Sequence, residues 1–426
     1  MPGPLDGVRV LEFSQIVALP FNGAVMSDLG AEIIKVEPLT GDPHRNRGTV
    51  MPNEGKRFQS LNRGKQSVAV DLRDPRGTEF IHKLVPTVDI VTINYRPGVS
   101  KRLGIDYETL KELHPGLIYC EITGFGNRGP MGDRGGTDIV ANGYSGLMMA
   151  DQKIDAHGQP ANISAISLAD YCAGFSATVG ITSALYHRAI TGQGQKIETS
   201  LLQAAIAVQD TVVMREPVHD ATLRDPMVQE INKIRQSGGD YPEVLDAYVR
   251  GRGATRVAAR AYYSTYQVKD GAMVLGALTP ANRAAARTVL GIDHDPSDQP
   301  DFDESQEESM QQATELHAEM RATLRTRTLA DWLDAFTEAG VPVAPVNMPE
   351  EMSDDPQVEA MGFMRDLEHP LFGPQRLAGP VVSMSETPTD IHGVSPALGA
   401  DTGDVMRGVG MSPAEIEALR ADGVIL

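Results

Sequence analysis

Short apolar runs alternate with amphipathic stretches through the first half of the chain. The apolar, β-branched pattern of buried strands occurs at 7–13, 32–38, 67–72, 88–93, 117–126 and 195–200. Helical patterns lie between and after them, at 20–31, from Asp74-Pro75 onward, and at 106–114, 170–190 and 201–213. Alternating strands and helices are typical of βαβ units, whose strands form a parallel sheet. The pattern therefore predicts an α/β fold.

The pattern changes between residues 215 and 329. This segment is polar and mixes charges, and its two-strand signature, AYYSTYQVKDGAMVLGAL, turns at 269–271. The α/β pattern returns at 328–347, and the amphipathic segment SPAEIEALRADGVIL ends the chain. We predict a large α/β domain built from both chain ends, 1–214 and 330–426, with a smaller domain, 215–329, inserted between them.

Composition narrows the class of protein. The chain has 426 residues, 41% of them apolar, and a net charge of −19, which argues against nucleic-acid binding. Two cysteines, Cys120 and Cys172, favour a reduced, cytoplasmic setting without a disulfide framework or metal cluster. No apolar run approaches the roughly 20 residues of a membrane span, and the N-terminus lacks the pattern of a secretory signal. We expect a cytoplasmic protein with no membrane or nucleic-acid partner.

Two segments depart from the average charge. The basic one carries Arg45, Arg47, Lys56, Arg57, Arg63 and Lys65 beside the single acid Glu54. It is either a solvated loop or a place where a small phosphorylated ligand docks. The acidic one, 293–309, has eight acids and no lysine or arginine, and we interpret it as a solvated, mobile surface segment without chemistry.

Several familiar motifs are missing or incomplete. The run 124–129 matches G-x-G-x-x-G after a strand, but a loop follows it at 130–136 where a dinucleotide site needs a helix. The ten histidines show no metal-binding spacing, and the chain has no G-x-S-x-G elbow. We therefore predict neither a nicotinamide cofactor nor a metal site.

Polar side chains follow the predicted strand at 88–93. Asn94, Tyr95 and Arg96 come directly after it, in TINYRPG. Open α/β sheets usually bind ligands beyond the carboxyl ends of their strands, so these residues are candidates for a binding site. A simple strand exit at Pro97-Gly98 explains the same residues equally well.

One acid, Asp170, opens the helical pattern in ISLADYCAGFSATVG. Ser167 and Asp170 form an S-x-x-D pattern, so the acid is either a cap for the backbone amides of the first turn or a reactive group. In the second interpretation the helix N-terminus keeps the carboxylate ionised, and the anion attacks an activated acyl group. The physics of the sequence does not separate the two.

Over most of its length the chain resembles the family III CoA-transferases, relatives of formyl-CoA transferase and of the carnitine-pathway CoA-transferase. The resemblance is carried, in order, by PLDGVRVLEFSQIVALPFNGAVMSDLGAEIIKVEP, LNRGKQSVAVDLRDPRG, DIVTINYRPGVSKRLGIDYETL, GFGNRGPMGDRGGTDIVANGYSGLM, SLADYCAGFSATVGITSALYHRAITGQGQKIETSLLQAAI, GVPVAPVNMPEEMSDDPQV and PALGADTGDVMRGVGMSPAEIEALRADGVI. It implies a Rossmann-like large domain and a homodimer of two interlocked subunits.

The resemblance also implies a site. Asp170 matches the aspartate nucleophile of the family, which reacts through an acyl anhydride and an aspartyl-CoA thioester. The substrates would be an acyl-CoA and a carboxylic acid, with no tightly bound cofactor. The positions that contact CoA in the family match Val17, Ala18, Val70, Asp71, Leu72, Arg73, Asn94, Tyr95, Arg96 and Arg102.

The chain departs from the family pattern at two places. Pro38 stands where an arginine is often found, so a contact to the adenine or the 3′-phosphate must come from elsewhere, such as the basic segment. The glycine loop over the active site has no clear match, and 238–240 (GGD) and 250–253 (RGRG) are only candidates.

Two questions about function stay open in the sequence. The alternative function, that of a 2-methylacyl-CoA racemase-like isomerase, expects a histidine where this chain has Thr137. Donor and acceptor acids are not readable from the sequence. Arg250, Arg252, Arg256 and Arg260 are either surface charges or a site for the second carboxylate of a dicarboxylic substrate.

Overall fold

The computed structural model describes residues 2–163, 165–253, 257–303 and 306–426. The chain forms two compact units, one of Met1–Met214 with Ser353–Leu426 and the other of Arg215–Met352. The first unit therefore contains both ends of the chain, and the second is inserted in it.

A six-stranded sheet forms the centre of the first unit. Its strands are β1 (Arg9–Phe13), β2 (Glu32–Glu37), β3 (Lys65–Ala69), β4 (Ile90–Ile93), β5 (Ile118–Thr123) and β6 (Lys196–Ser200). They lie in the order β3-β2-β1-β4-β5-β6, and every pair is parallel. Parallel strands covered on both faces need near-continuous apolar runs, which the sequence supplies. The predicted α/β fold with a parallel sheet is confirmed.

Helices cover both faces of this sheet. They are α1 (Ala18–Asp28), α2 (Lys56–Leu61), α3 (Pro75–Leu84), α4 (Val99–Arg102), α5 (Tyr107–Leu113), α6 (Asp138–Tyr144), α7 (Leu147–Ala150), α8 (Leu168–Thr191) and α9 (Leu201–Ala207). The C-terminal part adds α17 (Pro356–Ala360), the antiparallel strands β10 (Met364–His369) and β11 (Gly373–Ala378), α18 (Thr402–Gly408) and α19 (Pro413–Ala421). None of the described helices is long and apolar enough to cross a membrane.

Successive residues of β1 face two different apolar cores. Leu11 belongs to the core with Phe80 and Val405, whereas Val10 belongs to the core with Ala173. On the second face α1 and α8 pack closely, because a Cβ on Gly174 would lie 2.6 Å from the carbonyl oxygen of Ala18. This contact holds the first turn of α1 against the second turn of α8.

The second unit contains α10 (Pro217–His219), α11 (Asp225–Gln236), α12 (Tyr241–Gly253), α13 (Val257–Tyr262), α14 (Pro280–Leu290), α15 (Glu307–Leu324) and α16 (Leu329–Glu338). Its antiparallel sheet has β7 (Tyr263–Gln267), β8 (Ala272–Gly276) and β9 (Val343–Pro345), so the predicted hairpin is confirmed. The predicted boundary at 329 is wrong, because β9 pairs with β8 and Trp332 packs in the core of this unit, which ends at Met352.

Both charged segments contain buried ion pairs that the sequence did not indicate. In the acidic segment Asp295 is buried and accepts a hydrogen bond from Arg287 at 2.7 Å. In the basic segment Arg45 pairs with Glu37 at 2.7 Å, Arg63 with Asp28 at 2.5 Å and Lys65 with Glu12 at 2.9 Å. Those three cations therefore hold the fold together and are not free to bind a phosphorylated ligand.

Candidate active site

A cavity of about 360 Å³ opens at the carboxyl ends of β1, β4 and β5. It is lined by Gln15, Ile16, Ala18, Pro43, Asn94, Tyr95, Arg96, Pro97, Ile122, Thr123, Gly124, Gly135, Gly136, Thr137, Asp138, Val140, Asp170 and Leu201. The cavity brings together five of the predicted site residues, namely Ala18, Asn94, Tyr95, Arg96 and Asp170. This is the edge at which open α/β sheets bind ligands.

The turn after β1 forms one wall of the cavity. The backbone N–H of Gln15 donates to Asn94 Oδ1 at 3.0 Å, and Asn94 Nδ2 donates back to the carbonyl of Gln15 at 2.9 Å. Ile16 has φ +73°, which is a strained conformation for a β-branched residue, and its N–H donates to Asp42 Oδ2 at 3.2 Å. The wall is therefore fixed from both β4 and the segment after β2.

Glycines form a second wall. A Cβ on Gly124 would lie 2.5 Å from the Cα of Gly136, so only glycine allows these two backbone segments to touch. Gly135 packs against the side chain of Arg96. The G-x-G-x-x-G run at 124–129 thus begins in a close backbone approach beside the cavity, and an irregular segment follows it, as the sequence predicted.

Asp170 lies in the first turn of α8 and is buried, with 9% of its surface exposed. The S-x-x-D capping pattern does not form, because neither Ser167 nor Asp170 accepts a cap hydrogen bond from the backbone of α8. Instead, Ser167 Oγ accepts a hydrogen bond from Arg57 Nη2 at 2.8 Å, and the backbone N–H of Asp170 donates to Asp138 Oδ1 at 3.2 Å. No described residue donates a hydrogen bond to the Asp170 carboxylate.

The electrostatic surroundings of Asp170 favour its neutral form. The pKa of Asp170 is raised to about 7, because burial and, to a lesser extent, the charge of Asp138 raise it more than the charge of Arg57 lowers it. Burial also raises the pKa of Asp138, although hydrogen bonds from the backbone of Asp170 and Ala169 and from Asn142 oppose the effect. Burial and the charge of Asp138 therefore oppose the ionised form that the helix N-terminus is expected to favour.

The other predicted CoA-contact residues lie outside the cavity lining. The side chain of Val17 is buried against Phe21. At the end of β3, Val70 bridges to Ile425, Leu72 packs at the edge of a core, and Arg73 pairs with Asp71 at 2.8 Å. Arg102 is exposed at the end of α4.

The sequence did not indicate Asp138 as a functional residue, and one of the two candidate glycine loops is not a loop. Asp138 was not predicted, and the only signal for it is its place in the GGTDIVANG run beside Thr137. Residues 250–253 lie in α12 and are not a loop, whereas 238–240 form the connection from α11 to α12.

The arginines proposed for a second carboxylate are engaged where they are described. Arg250 pairs with Glu230 and Asp246, and Arg252 and Arg260 also have interaction partners. Arg256 lies outside the described residues. The described part of the chain contains no cluster of His, Cys, Asp and Glu that could hold a metal ion.

Comparisons with known proteins agree with this architecture. The family model of CoA-transferase family III matches residues 5–402. A succinate–glutarate CoA-transferase of Agrobacterium fabrum is 31% identical over 95% of this chain and 95% of its own length. A succinyl-CoA:glutarate CoA-transferase of Mus musculus is 30% identical over 99% of this chain and 90% of its own. The crystal structure of a CaiB/BaiF family protein from Brucella suis superimposes with a TM-score of 0.73 and 27% identity, covering 96% of this chain and 100% of the other.

Proposed function

The chain belongs to CoA-transferase family III, and on this premise we propose that it transfers CoA through a covalent intermediate on Asp170. The observation that carries the proposal is the state of that side chain. It is buried, it lines the cavity, and no described residue donates a hydrogen bond to its carboxylate. The ionised form of such a group is free to attack an acyl carbon.

In the proposed first half-reaction, a carboxylate oxygen of Asp170 attacks the thioester carbon of the donor acyl-CoA. The C–S bond breaks, CoA leaves as a thiolate, and an acyl-aspartyl anhydride remains. The thiolate then attacks the side-chain carbonyl carbon of Asp170. The bond from that carbon to the bridging oxygen breaks, the donor acid leaves as a carboxylate, and an aspartyl-CoA thioester remains.

The second half-reaction reverses these steps with the acceptor. The acceptor carboxylate attacks the aspartyl carbonyl carbon and expels CoA thiolate, which gives a mixed anhydride. The thiolate attacks the acyl carbon of the acceptor and releases the Asp170 carboxylate. Each step exchanges one anion for another, so the sequence requires no net proton transfer and no tightly bound cofactor. It does require Asp170 to be ionised when the donor binds.

We propose that CoA binds along the carboxyl edge of the sheet. Asn94, Tyr95 and Arg96 would contact it inside the cavity together with Ala18 and the backbone of Val17. The set at the end of β3, which comprises Val70, Asp71, Leu72 and Arg73, would contact it outside the cavity, as would Arg102. Support comes from the shared edge and from Arg96 and Arg102, which form no ion pair among the described residues.

For the acids, we propose that at least one is a short dicarboxylate. The two relatives above are named for succinate and glutarate, and Arg96 is the only cation among the described residues that line the cavity. Arg96→Gln separates two roles of this arginine. If it receives the second carboxylate, KM rises for glutarate and not for acetate. If it contacts CoA, KM for the CoA ester rises with either acid.

The racemase alternative has no support at the site. Proton exchange at a carbon atom needs a base on each face of the substrate, and the alternative expects a histidine in place of Thr137. Thr137 lines the cavity, and no histidine is found among the described lining residues. The lining therefore favours the transferase over the isomerase.

We also propose that the protein is a homodimer of interlocked subunits. An apolar stripe on α8, made of Phe175, Val179, Tyr186 and Ile190, is 45% to 72% exposed. Exposed apolar stripes of this kind mark association surfaces. Sedimentation equilibrium tests the proposal, since a stable monomer near 45.9 kDa would refute it.

The covalent step is tested by trapping. Wild-type protein incubated with succinyl-CoA and no acceptor should accumulate a carboxyl-linked adduct on the peptide that contains Asp170. Hydroxylamine should convert the adduct to a hydroxamate, and borohydride should reduce the thioester to an alcohol at that residue. Mass spectrometry locates the modified residue. An active enzyme with no adduct there would contradict the covalent mechanism.

A further inference from the structure

The backbone amides at the start of α8 are capped by a residue from another helix. Asp138, in the first turn of α6, accepts the N–H of Asp170 at 3.2 Å and also a hydrogen bond from the N–H of Ala169. The residue in the N-cap position, Ser167, forms no cap bond with its side chain. An acid 32 positions earlier in the chain therefore does what an N-cap side chain usually does.

Asp138 is itself held in place by its own helix. Asn142, one turn further along α6, donates from Nδ2 to Asp138 Oδ2 at 2.9 Å. One carboxylate oxygen of Asp138 thus faces α6 and the other faces α8. Asn142 is fully buried, and its Oδ1 has no hydrogen-bond partner among the described residues.

This arrangement changes what Asp170 can do. An acid in the first turn of a helix normally turns back to accept a free backbone N–H. Here Asp138 occupies the N–H groups of Ala169 and Asp170, and the carboxylate of Asp170 remains without a described hydrogen bond. Asp138 and Asp170 line the same cavity.

We propose that Asp138 is a positioning residue for the transfer reaction: by capping α8 from α6, it fixes the backbone from which Asp170 projects and leaves the Asp170 carboxylate free to attack. The proposal rests on the assignment of Asp170 as the nucleophile. Asp138 itself forms no bond to the substrate in the reaction.

Asp138 also acts on Asp170 through its charge. The charged groups that face Asp170 are Asp138 from α6 and Arg57 from α2, and Arg96 lies in the same cavity after β4. Removing the charge of Asp138 alone should lower the pKa of Asp170, so that the nucleophile is ionised at lower pH. The cap and the charge can therefore be separated by two substitutions.

Asp138→Asn keeps an oxygen for the α8 amides and removes the charge. Its new amide group can donate to Asn142 if that side chain flips, because Asn142 Oδ1 is unpartnered. We expect a folded enzyme with most of the wild-type kcat at alkaline pH, whose acid limb of kcat lies lower by about 1 pH unit. Asp138→Ala removes the cap as well, and we expect kcat to fall about 100-fold with KM for the CoA ester nearly unchanged.

Asp133→Asn is the matched control, because it removes the same charge from an exposed residue just before α6. It should leave both the pH profile and kcat unchanged. All variants are compared per folded molecule, with the melting temperature measured in parallel. If Asp138→Ala loses only stability and keeps the wild-type kcat, Asp138 is not a positioning residue and the proposal is wrong. If Asp138→Asn leaves the acid limb in place, the inferred effect of the Asp138 charge on Asp170 is wrong.

Adduct formation distinguishes this failure from a failure of the proposed function. If wild-type Asp170 forms the trapped adduct while the Asp138 variants form it at the wild-type rate, only the role of Asp138 is overturned. If wild-type enzyme forms no adduct at Asp170, the proposal that Asp170 is the nucleophile is wrong. If the adduct forms slowly in Asp138→Ala and at the wild-type rate in Asp138→Asn, the result supports both the nucleophilic role of Asp170 and the positioning role of Asp138.

Discussion

Glu12 and Asp170 are both buried carboxyl groups of the sheet-containing unit, with 0% and 9% of their surfaces exposed, yet their neighbours differ in charge. Glu12 lies between Lys65, at 2.9 Å, and Lys35, at 3.3 Å. Burial alone would raise the pKa of Glu12, but the two lysines lower it overall. Asp170 faces Asp138, and its pKa rises to about 7. Burial is common to both acids, so the sign of the neighbouring charges is what distinguishes the structural acid Glu12 from Asp170, the proposed nucleophile.

The cluster around Glu12 also supports the site. Lys65 donates further hydrogen bonds to the carbonyl of Pro20 and to Asn62, although burial lowers its pKa to about 8. Lys35 contacts Asp42 at 3.2 Å, and Asp42 accepts the N–H of the strained Ile16 in the cavity wall. The buried ion pair of Lys35 and Asp42 therefore stabilises the cavity wall at Ile16, in the same cavity that Asp170 lines.

Asp170→Asn should give the largest effect on activity. The amide has almost the same shape but cannot attack a thioester, so we expect kcat to fall by several orders of magnitude with KM for the CoA ester little changed. Steady-state kinetics and adduct trapping measure this. If the Asn variant has wild-type turnover, Asp170 is not the nucleophile, and it is then a structural acid like Glu12.

The same variant should be more stable than the wild type at neutral and alkaline pH. The folded pKa of Asp170, about 7, lies above the unfolded value of about 3.9, so the folded state holds more protons between these values. The contribution of Asp170 to wild-type stability is therefore most favourable below about pH 4 and is lost as pH rises through 7, by at most about 4 kcal/mol. Urea unfolding at several pH values should show that the difference in the free energy of unfolding between the variant and the wild type decreases as the pH is lowered.

Glu12→Gln should give the largest effect on stability. The amide leaves Lys65 and Lys35 buried without their shared counter-charge, and breaking a buried ion pair in this way costs about 3–5 kcal/mol. Glu32→Gln is the matched control, since Glu32 pairs with Arg9 at the surface and should cost less than about 1 kcal/mol. Equal losses in denaturant unfolding would show that the buried cluster contributes no more than an exposed pair.

The sequence predicted the sheet of this unit well because the information is local. A buried strand needs only its own apolar run, and a helix start such as Asp74-Pro75 is marked by its own residues. The end of the smaller unit was mispredicted because β9 is short and its membership depends on pairing with β8, far back in the chain. No local pattern carries that pairing.

The charges of the site were harder to predict for the same reason. Arg45, Arg63 and Lys65 read as a basic segment, but their acids come from β2, α1 and β1. Asp170 was identified through a family resemblance, whereas its pKa depends on Asp138, 32 residues earlier. Which charges meet is decided by the fold, so the sequence alone could not distinguish paired from unpaired groups.

Arg57→Gln tests the opposite sign of charge near Asp170. Arg57 lowers the pKa of Asp170 and donates to Ser167 Oγ, a bond that glutamine can replace. Loss of the cation should raise the pKa of Asp170 and move the acid limb of kcat to higher pH, by about 1 unit or less because Arg57 is exposed. Lys56→Gln removes a neighbouring exposed cation and should move nothing. A limb that stays in place in Arg57→Gln would mean that Asp138 and burial alone set the pKa.

Arg102→Ala should give the smallest effect. Whereas Glu12 and Asp170 are buried charges, Arg102 is an exposed one. Arg102 is exposed at the end of α4 and forms no ion pair with the described residues, so it contributes little to the fold and is available to a phosphate of CoA. A phosphate contact acts equally on the ground state and the transition state, so KM for the CoA ester should rise several-fold while kcat hardly changes.

Lys101→Ala, at the adjacent exposed position, controls for general loss of positive charge. Raising the salt concentration should reduce the difference between Arg102→Ala and the wild type, because an exposed cation–phosphate contact is screened. A fall in kcat without a change in KM would instead give Arg102 a part in the chemistry at Asp170.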